Sequence, residues 1–261
     1  MKYKKFIYSG FHSLILMLVS VGVTIGTYVL HSYLNYSVDY PPYSGTNTLL
    51  NLTPSLSIIP NVNSLSSLIK FKDGKRYSFA NYLHDLIGFT ANYERHKIGN
   101  HLEDCLGQGY FSFRPRKSCY FGLDFGVGCT IQKLFGYSEL KPCVLIKINK
   151  IYGWVPQLKN ATRDIKIKCD GVSSTDQELI GIICYYDYTT KYNCDYQYGR
   201  ISNLFFPYKR DSSYRQPFVF IKFQSLMRNV LIRVHCWMEA ENVKVDFKES
   251  AGSVTFEIFM N

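Results

Sequence analysis

The side chains best equipped for covalent chemistry in this sequence are eight cysteines: Cys105, Cys119, Cys129, Cys143, Cys169, Cys184, Cys194 and Cys236. Cysteine can attack an electrophile, ligate zinc or oxidise in pairs. No Cys-x-x-Cys occurs and no cysteine–histidine cluster has finger spacing, so zinc fits poorly. The count is even, and all eight follow a long uncharged segment, which points to disulfides in an oxidising compartment. Spacing alone does not choose among the many possible pairings. Bridges closing loops of about 15 to 70 residues would stabilise the fold by about 3 to 4 kcal/mol each.

Other chemistries find little support. There is no Gly-x-Ser-x-Gly elbow, P-loop, His-Glu-x-x-His or dinucleotide fingerprint. His84, His96 and His101 fall near Asp85, Glu94, Glu103 and Asp104, but surface pairs on a helix and its following loop explain them better than acid–base catalysis. Ser78 is placed to cap that helix, with Phe79, Tyr82, Leu83, Leu86 and Phe89 recurring at helical spacing to about Tyr93. Gly122 to Gly128 is glycine-rich but lies between two cysteines, as a tight disulfide loop would. His235 faces away from an apolar stripe and is read as solvated. The sequence thus predicts no catalytic residue, metal or cofactor. A net charge of +10 is spread over short clusters such as Lys70-Phe71-Lys72 and Lys209-Arg210, without the basic stripe of a nucleic-acid binder.

These residues need elements to hold them. After Lys2, Lys4 and Lys5 no charged residue appears until Asp39, and Phe11 to Leu30 is apolar. About 20 such residues span a hydrocarbon core of about 30 Å. The sequence therefore predicts a cytoplasmic tail at 1–10, a transmembrane helix at 11–31, and everything beyond outside the cell. The rival is a cleaved signal peptide ending near Ser20-Val21-Gly22, which would cut within the apolar run. Gly22 and Gly26 form a small-xxx-small pair that lets another helix approach. Asn51 and Asn160 head credible glycosylation sequons, whereas Asn35 lies too close to the bilayer.

Residues 32–76, with Pro41, Pro42, Pro54 and Pro60, read as an extended membrane-proximal stalk, and 77–261 as the ectodomain. There, period-2 patterns dominate: Val144 to Ile148, Ile165 to Cys169, Val219 to Phe223, Val230 to Met238 and Val254 to Met260. Aromatics make up 16% of the chain, enough to fill a β core. The predicted fold is mainly β: an N-terminal transmembrane helix, then an immunoglobulin-like antiparallel β-sandwich with one helix.

Several of these segments resemble the β subunits of Na+/K+- and H+/K+-transporting P-type ATPases. Lys141-Pro142-Cys143-Val144-Leu145-Ile146-Lys147-Ile148-Asn149-Lys150, with Gly136-Tyr137 before and Gly153 and Pro156 after, is similar to that family's Lys-Pro-Cys strand. Phe206-Pro207-Tyr208, followed by Tyr214, Gln216-Pro217, Val219 and Phe223, resembles its aromatic-Pro-Tyr segment. Ile232-Arg233-Val234-x-Cys236 with Glu241-Asn242, and Gly252 to Phe259, are similar to its last two strands; Glu103-Asp104-Cys105 and Lys117-x-Cys119-x-Phe121 fit its first cysteine pair. The resemblance implies bridges Cys105–Cys119, Cys129–Cys143 and Cys169–Cys236. Cys184 and Cys194 depart from the family's set, and we expect them to form a fourth bridge. The tail is shorter than usual, and the span keeps only Phe11 and Tyr28 of the aromatics such spans carry.

The resemblance further implies a non-catalytic plasma-membrane subunit, type II with its C-terminus outside, embedded in the lipid bilayer and partnered by the catalytic α subunit of a P-type cation pump. Expected contacts are Phe11, Gly22, Gly26 and Tyr28 in the membrane, and Phe205, Phe206, Pro207 and Tyr208 as exposed anchors outside. The alternative is a pump-independent adhesion or receptor-like glycoprotein of the same fold.

Overall fold

A computed structural model describes residues 17–30, 53–62, 66–95, 102–104, 118–123, 128–158, 163–189, 194, 197–209, 211 and 213–261. The described chain is mainly β, with two sheets and few helices. Residues 17–30 form helix α1, and all of them are exposed. Among the described residues no helix is long and apolar enough to cross a membrane; the remainder of the expected span lies outside them.

Among the described residues eleven strands follow. A four-stranded sheet runs in the order β1 (Leu56–Ile59), β5 (Cys143–Ile148), β9 (Phe218–Phe223), β7 (Ile183–Tyr186). A five-stranded sheet runs β2 (Leu68–Phe71), β11 (Ser253–Met260), β10 (Leu231–Glu239), β6 (Asp164–Gly171), β8 (Gly199–Ser202). Strands β3 (Leu102–Asp104) and β4 (Ser118–Tyr120) form a small separate pair. Helix α2 spans Ala80–Arg95 and α3 spans Ser174–Ile180.

The side-chain pattern explains the layering. Strands β6 and β10 alternate buried and accessible residues, so each turns one face inward. Strands β5 and β9 lie in the middle of their sheet and are buried almost throughout, as apolar runs interrupted only by Lys147 and Lys222 require. The two sheets share one core containing Val144, Ile146, Val219, Ile221, Ile232, Val234, Phe256 and Ile258. They approach so closely that a Cβ at Gly199 would lie 2.3 Å from Val219 Cγ1. Tyr185 of β7 reaches across the gap: its hydroxyl accepts from the Cys169 amide at 2.9 Å. Its partner is a strand group beyond the last residue that β8 pairs, and burial pushes the phenol up to about 12.

Three expectations change. Leu56–Ile59 and Leu68–Phe71, within the segment expected as an extended stalk, are strands of the two sheets. Strand β1 pairs with β5 and β2 with β11, so both complete the sheets at their edges. The sheets are not wholly antiparallel either, because β2 runs parallel to β11 and β3 parallel to β4. Ser78 lies in a 3-10 turn ahead of α2, where its hydroxyl accepts from the Lys72 amide and donates to the Lys75 carbonyl. Ser173 does cap an α-helix, in a reciprocal box with Asp176 at the start of α3.

Candidate partner-binding face

The cysteines set the frame. Cys129 and Cys143 are bonded with Cα atoms 5.8 Å apart, fixing the preceding loop to the start of β5. Cys169 and Cys236 are bonded with Cα atoms 4.0 Å apart. They sit opposite each other on β6 and β10, so this bridge joins neighbouring strands of one sheet rather than the two sheets. Cys184 and Cys194 are bonded with Cα atoms 4.7 Å apart, tying Cys194 to edge strand β7. Cys119 is also disulfide-bonded; its expected partner, Cys105, lies outside the described residues.

One end of the two-sheet body gathers the four contact residues expected outside the membrane, Phe205 to Tyr208. Strand β1 enters there: Leu56 registers with Ile148, and the Asn149 amide donates to the Ser55 carbonyl at 2.9 Å. The chain arriving from the N-terminal segment therefore joins the sheet where β5 ends. The Phe205–Tyr208 segment reaches the same end, because the Gly153 amide donates to the Tyr208 carbonyl at 2.9 Å. The Gln216 side-chain Nε2 donates to the Ile148 carbonyl, tying the approach to β9 to the end of β5.

Within that segment the four residues differ. Phe205 is 3% exposed and packs edge-on against Phe121 at 5.4 Å. It is a core residue and not the exposed anchor expected, because the turn Asn203–Phe205 directs it inward. Phe206 is half-buried and stands edge-on to the buried Trp154 at 5.2 Å. Pro207 follows it through a cis peptide bond. Tyr208 is half-buried, with its ring 4.8 Å from that of Tyr214. Lys150 places its ammonium 5.2 Å from the Tyr208 ring and 5.5 Å from the Tyr214 ring, within cation–π range. The surface offered is thus a tyrosine pair with a cation over it, backed by Phe206 and Trp154. Trp154 and Arg215 were not singled out from the sequence, and Lys150 was quoted only as the end of the Lys-Pro-Cys stretch. The available signal was an arginine just before a strand that is apolar but for Lys222.

The membrane residues form a second group. Gly22, Gly26 and Tyr28 lie on α1, and nothing comes within 4 Å of a Cβ built at either glycine. The four-residue spacing places both glycines on one helix face. Phe11 and the sequon residues Asn51 and Asn160 lie outside the described residues.

The candidate acid–base cluster is not assembled among the described residues. His84 is exposed, Asp85 accepts from the Asn61 amide at 2.6 Å, and His96 and His101 lie outside them. No group of three His, Cys, Asp or Glu residues there could hold a metal. His235 requires correction. It is half-buried beneath Phe247, with ring centroids 4.1 Å apart, and its Nδ1 is buried without a hydrogen-bond partner. Burial pushes its pKa down, against the pull of Asp170 and Asp176. It lines a groove of about 1080 Å³ on the outer face of the five-stranded sheet, with Trp237, Val243 and Phe247.

With this geometry in place, known proteins give a consistent comparison. A family profile described as the sodium / potassium ATPase beta chain matches residues 7–256. The chain is 25% identical over 255 residues to a fruit-fly (Drosophila melanogaster) sodium/potassium-transporting ATPase subunit beta-2, covering 85% of this chain and 75% of that one. It is 26% identical to a probable sodium/potassium-transporting ATPase subunit beta-3 of Caenorhabditis briggsae, covering 84% and 70%. The human sodium/potassium-transporting ATPase subunit beta-2 is 26% identical, covering 80% and 72%.

Proposed function

Because the chain belongs to the sodium/potassium ATPase beta-chain family, a family of non-catalytic accessory subunits, we propose that it assembles with the catalytic subunit of a P-type cation pump. In this reading residues 11–31 anchor it in the plasma membrane, residues 1–10 are cytoplasmic, and the immunoglobulin-like sandwich lies outside with glycans at Asn51 and Asn160. The sandwich begins at β1, so the linker after the anchor ends near residue 52.

The observation that carries this reading is the family match across nearly the whole chain. Its physical support is that a disulfide-bonded body presents Phe206, Pro207 and Tyr208 where the chain from the anchor enters. Gly22 and Gly26 supply a flat helix stripe for packing against a multi-helix partner. A rigid cap over the pump's outer loops aids its maturation and delivery to the surface. It also tunes transport indirectly, since a bias of about 1 kcal/mol between two pump conformations changes apparent ion affinity about fivefold.

The test is co-expression with a pump catalytic subunit in cells lacking other β subunits. Surface biotinylation should show more pump at the plasma membrane than without the chain, and Gly22→Leu/Gly26→Leu should reduce the gain. No increase, with the chain itself at the surface, would favour a pump-independent adhesion protein.

A further inference from the structure

On the outer face of the five-stranded sheet, charge runs against the rest of the molecule. The groove of about 1080 Å³ there is lined by Asp164, Asp170, Glu239 and Glu241, against one ammonium, Lys166. The chain as a whole carries a net charge of +10. Two of these carboxylates are already engaged. Asp164 accepts from the Tyr188 hydroxyl and feels Arg200 and Arg163, and Glu239 pairs with Lys168 at 2.8 Å. Lys166 is drawn aside over the Tyr198 ring, at 4.7 Å. Asp170 accepts from the Gly171 amide at 2.7 Å. Among the described residues neither Asp170 nor Glu241 is in an ion pair. Aromatic surface is open in the same groove: Phe247 is 41% exposed and stands edge-on to the half-buried Trp237 at 6.2 Å.

Spacing decides what could fill this groove. Asp170 is opposite His235 on β10, and Glu241 follows six positions after His235. At about 3.3 Å per extended residue, the two carboxylates stand roughly 15 to 20 Å apart. They do not converge, and among the described residues no group of three His, Cys, Asp or Glu could hold a metal. A small amine would reach one carboxylate and leave the other, with much of the aromatic wall, uncovered. We propose that the groove seats an extended segment of another protein, with two basic side chains about six residues apart and apolar residues between them. The two cations meet Asp170 and Glu241, and the apolar side chains between them cover Trp237 and Phe247. Charge complementarity selects the ends, and burial of the exposed rings adds the larger share of affinity. This inference does not depend on the pump partnership.

The experiment uses the full-length chain in a detergent of uncharged headgroup and a fluorescently labelled peptide, Lys-Thr-Val-Thr-Leu-Thr-Lys, read by fluorescence anisotropy. In an extended peptide its two lysines, valine and leucine share one face. Binding should saturate and weaken as salt rises, because exposed charge pairs are screened. The same peptide with glutamate at both ends should not bind, and lysinamide should compete poorly. Asp170→Asn and Glu241→Gln should each weaken binding about two- to fivefold. Glu94→Gln, on α2 and outside the groove, should leave it unchanged. Phe247→Ala should weaken it at least about fivefold; if that variant does not fold, the two carboxylate variants decide. Absence of saturable binding to the wild-type chain overturns the proposal, as does equal binding of the glutamate-ended peptide. Displacement by lysinamide at the peptide's own concentration also overturns it, in favour of a small-amine site. So does binding untouched by Asp170→Asn and Glu241→Gln, or weakened equally by Glu94→Gln, which would mean diffuse surface attraction.

Discussion

Two ionisable residues, Asp176 buried and His235 half-buried, show how single side chains hold this fold, and each makes a prediction. Asp176 is 5% exposed; its carboxylate bonds the Ser173 amide and hydroxyl and the Arg233 amide. Burial alone would raise its pKa, but these hydrogen bonds and the Arg233 charge hold it below the ordinary carboxylate value. Asp176→Ala removes both the cap and the link from α3 to β10, and should cost about 2 to 3 kcal/mol in denaturant unfolding. The depressed pKa means that this contribution is complete above about pH 3.8 and lost as pH falls below it. The gap between wild type and variant should therefore close in acid. His235 has the same sign for a different reason: burial disfavours its imidazolium. Its contribution is complete above pH 6.5 and declines as pH falls below that value. His235→Phe keeps an aromatic stack on Phe247 and has nothing to protonate. Its melting temperature should gain on that of wild type between pH 7 and pH 5; parallel curves would show that His235 does not titrate against the fold.

At the scale of elements, the sheets test the layering directly. Gly199→Ala sets a methyl against Val219 across the core and should cost about 1 to 3 kcal/mol through overpacking. Val219→Ala in the same chain should restore part of that loss. Removing the bridge that closes ten residues, with Cys184→Ser/Cys194→Ser, should destabilise by about 3 kcal/mol in the loop-entropy model, and removing Cys169–Cys236, which closes 67, by about 4 kcal/mol. The long strands were legible in the sequence because five or more alternating or continuous apolar residues leave few other readings: β5, β6, β9, β10 and β11 all fall where the period-2 runs lie. Strands β1 and β2 were not, since each has four residues and β1 lies between Pro54 and Pro60, as a linker would. Their strand character comes from partners about 90 and 190 positions away in sequence, Ile148 and Glu257, which local pattern cannot register. The same holds for the contact face. The Phe206–Tyr208 segment was visible as a motif, but only the fold shows that Phe205 turns inward and that Lys150 and Arg215 join the patch.

For the molecule as a whole, the family fixes the kind of subunit this is, while its partnership with a pump is the inferred step. The chain's entry at β1, its bridges and the tyrosine patch together describe a disulfide-bonded body, a form suited to capping a membrane protein. The direct measurement is affinity purification of the tagged full-length chain from its native membranes in mild detergent, with a known β subunit in parallel. The account predicts recovery of a multi-span P-type ATPase in roughly equal amount, diminished when Tyr208 and Phe206 are both changed to Ala. Recovery of this chain alone, while the known subunit brings down its pump, would contradict it.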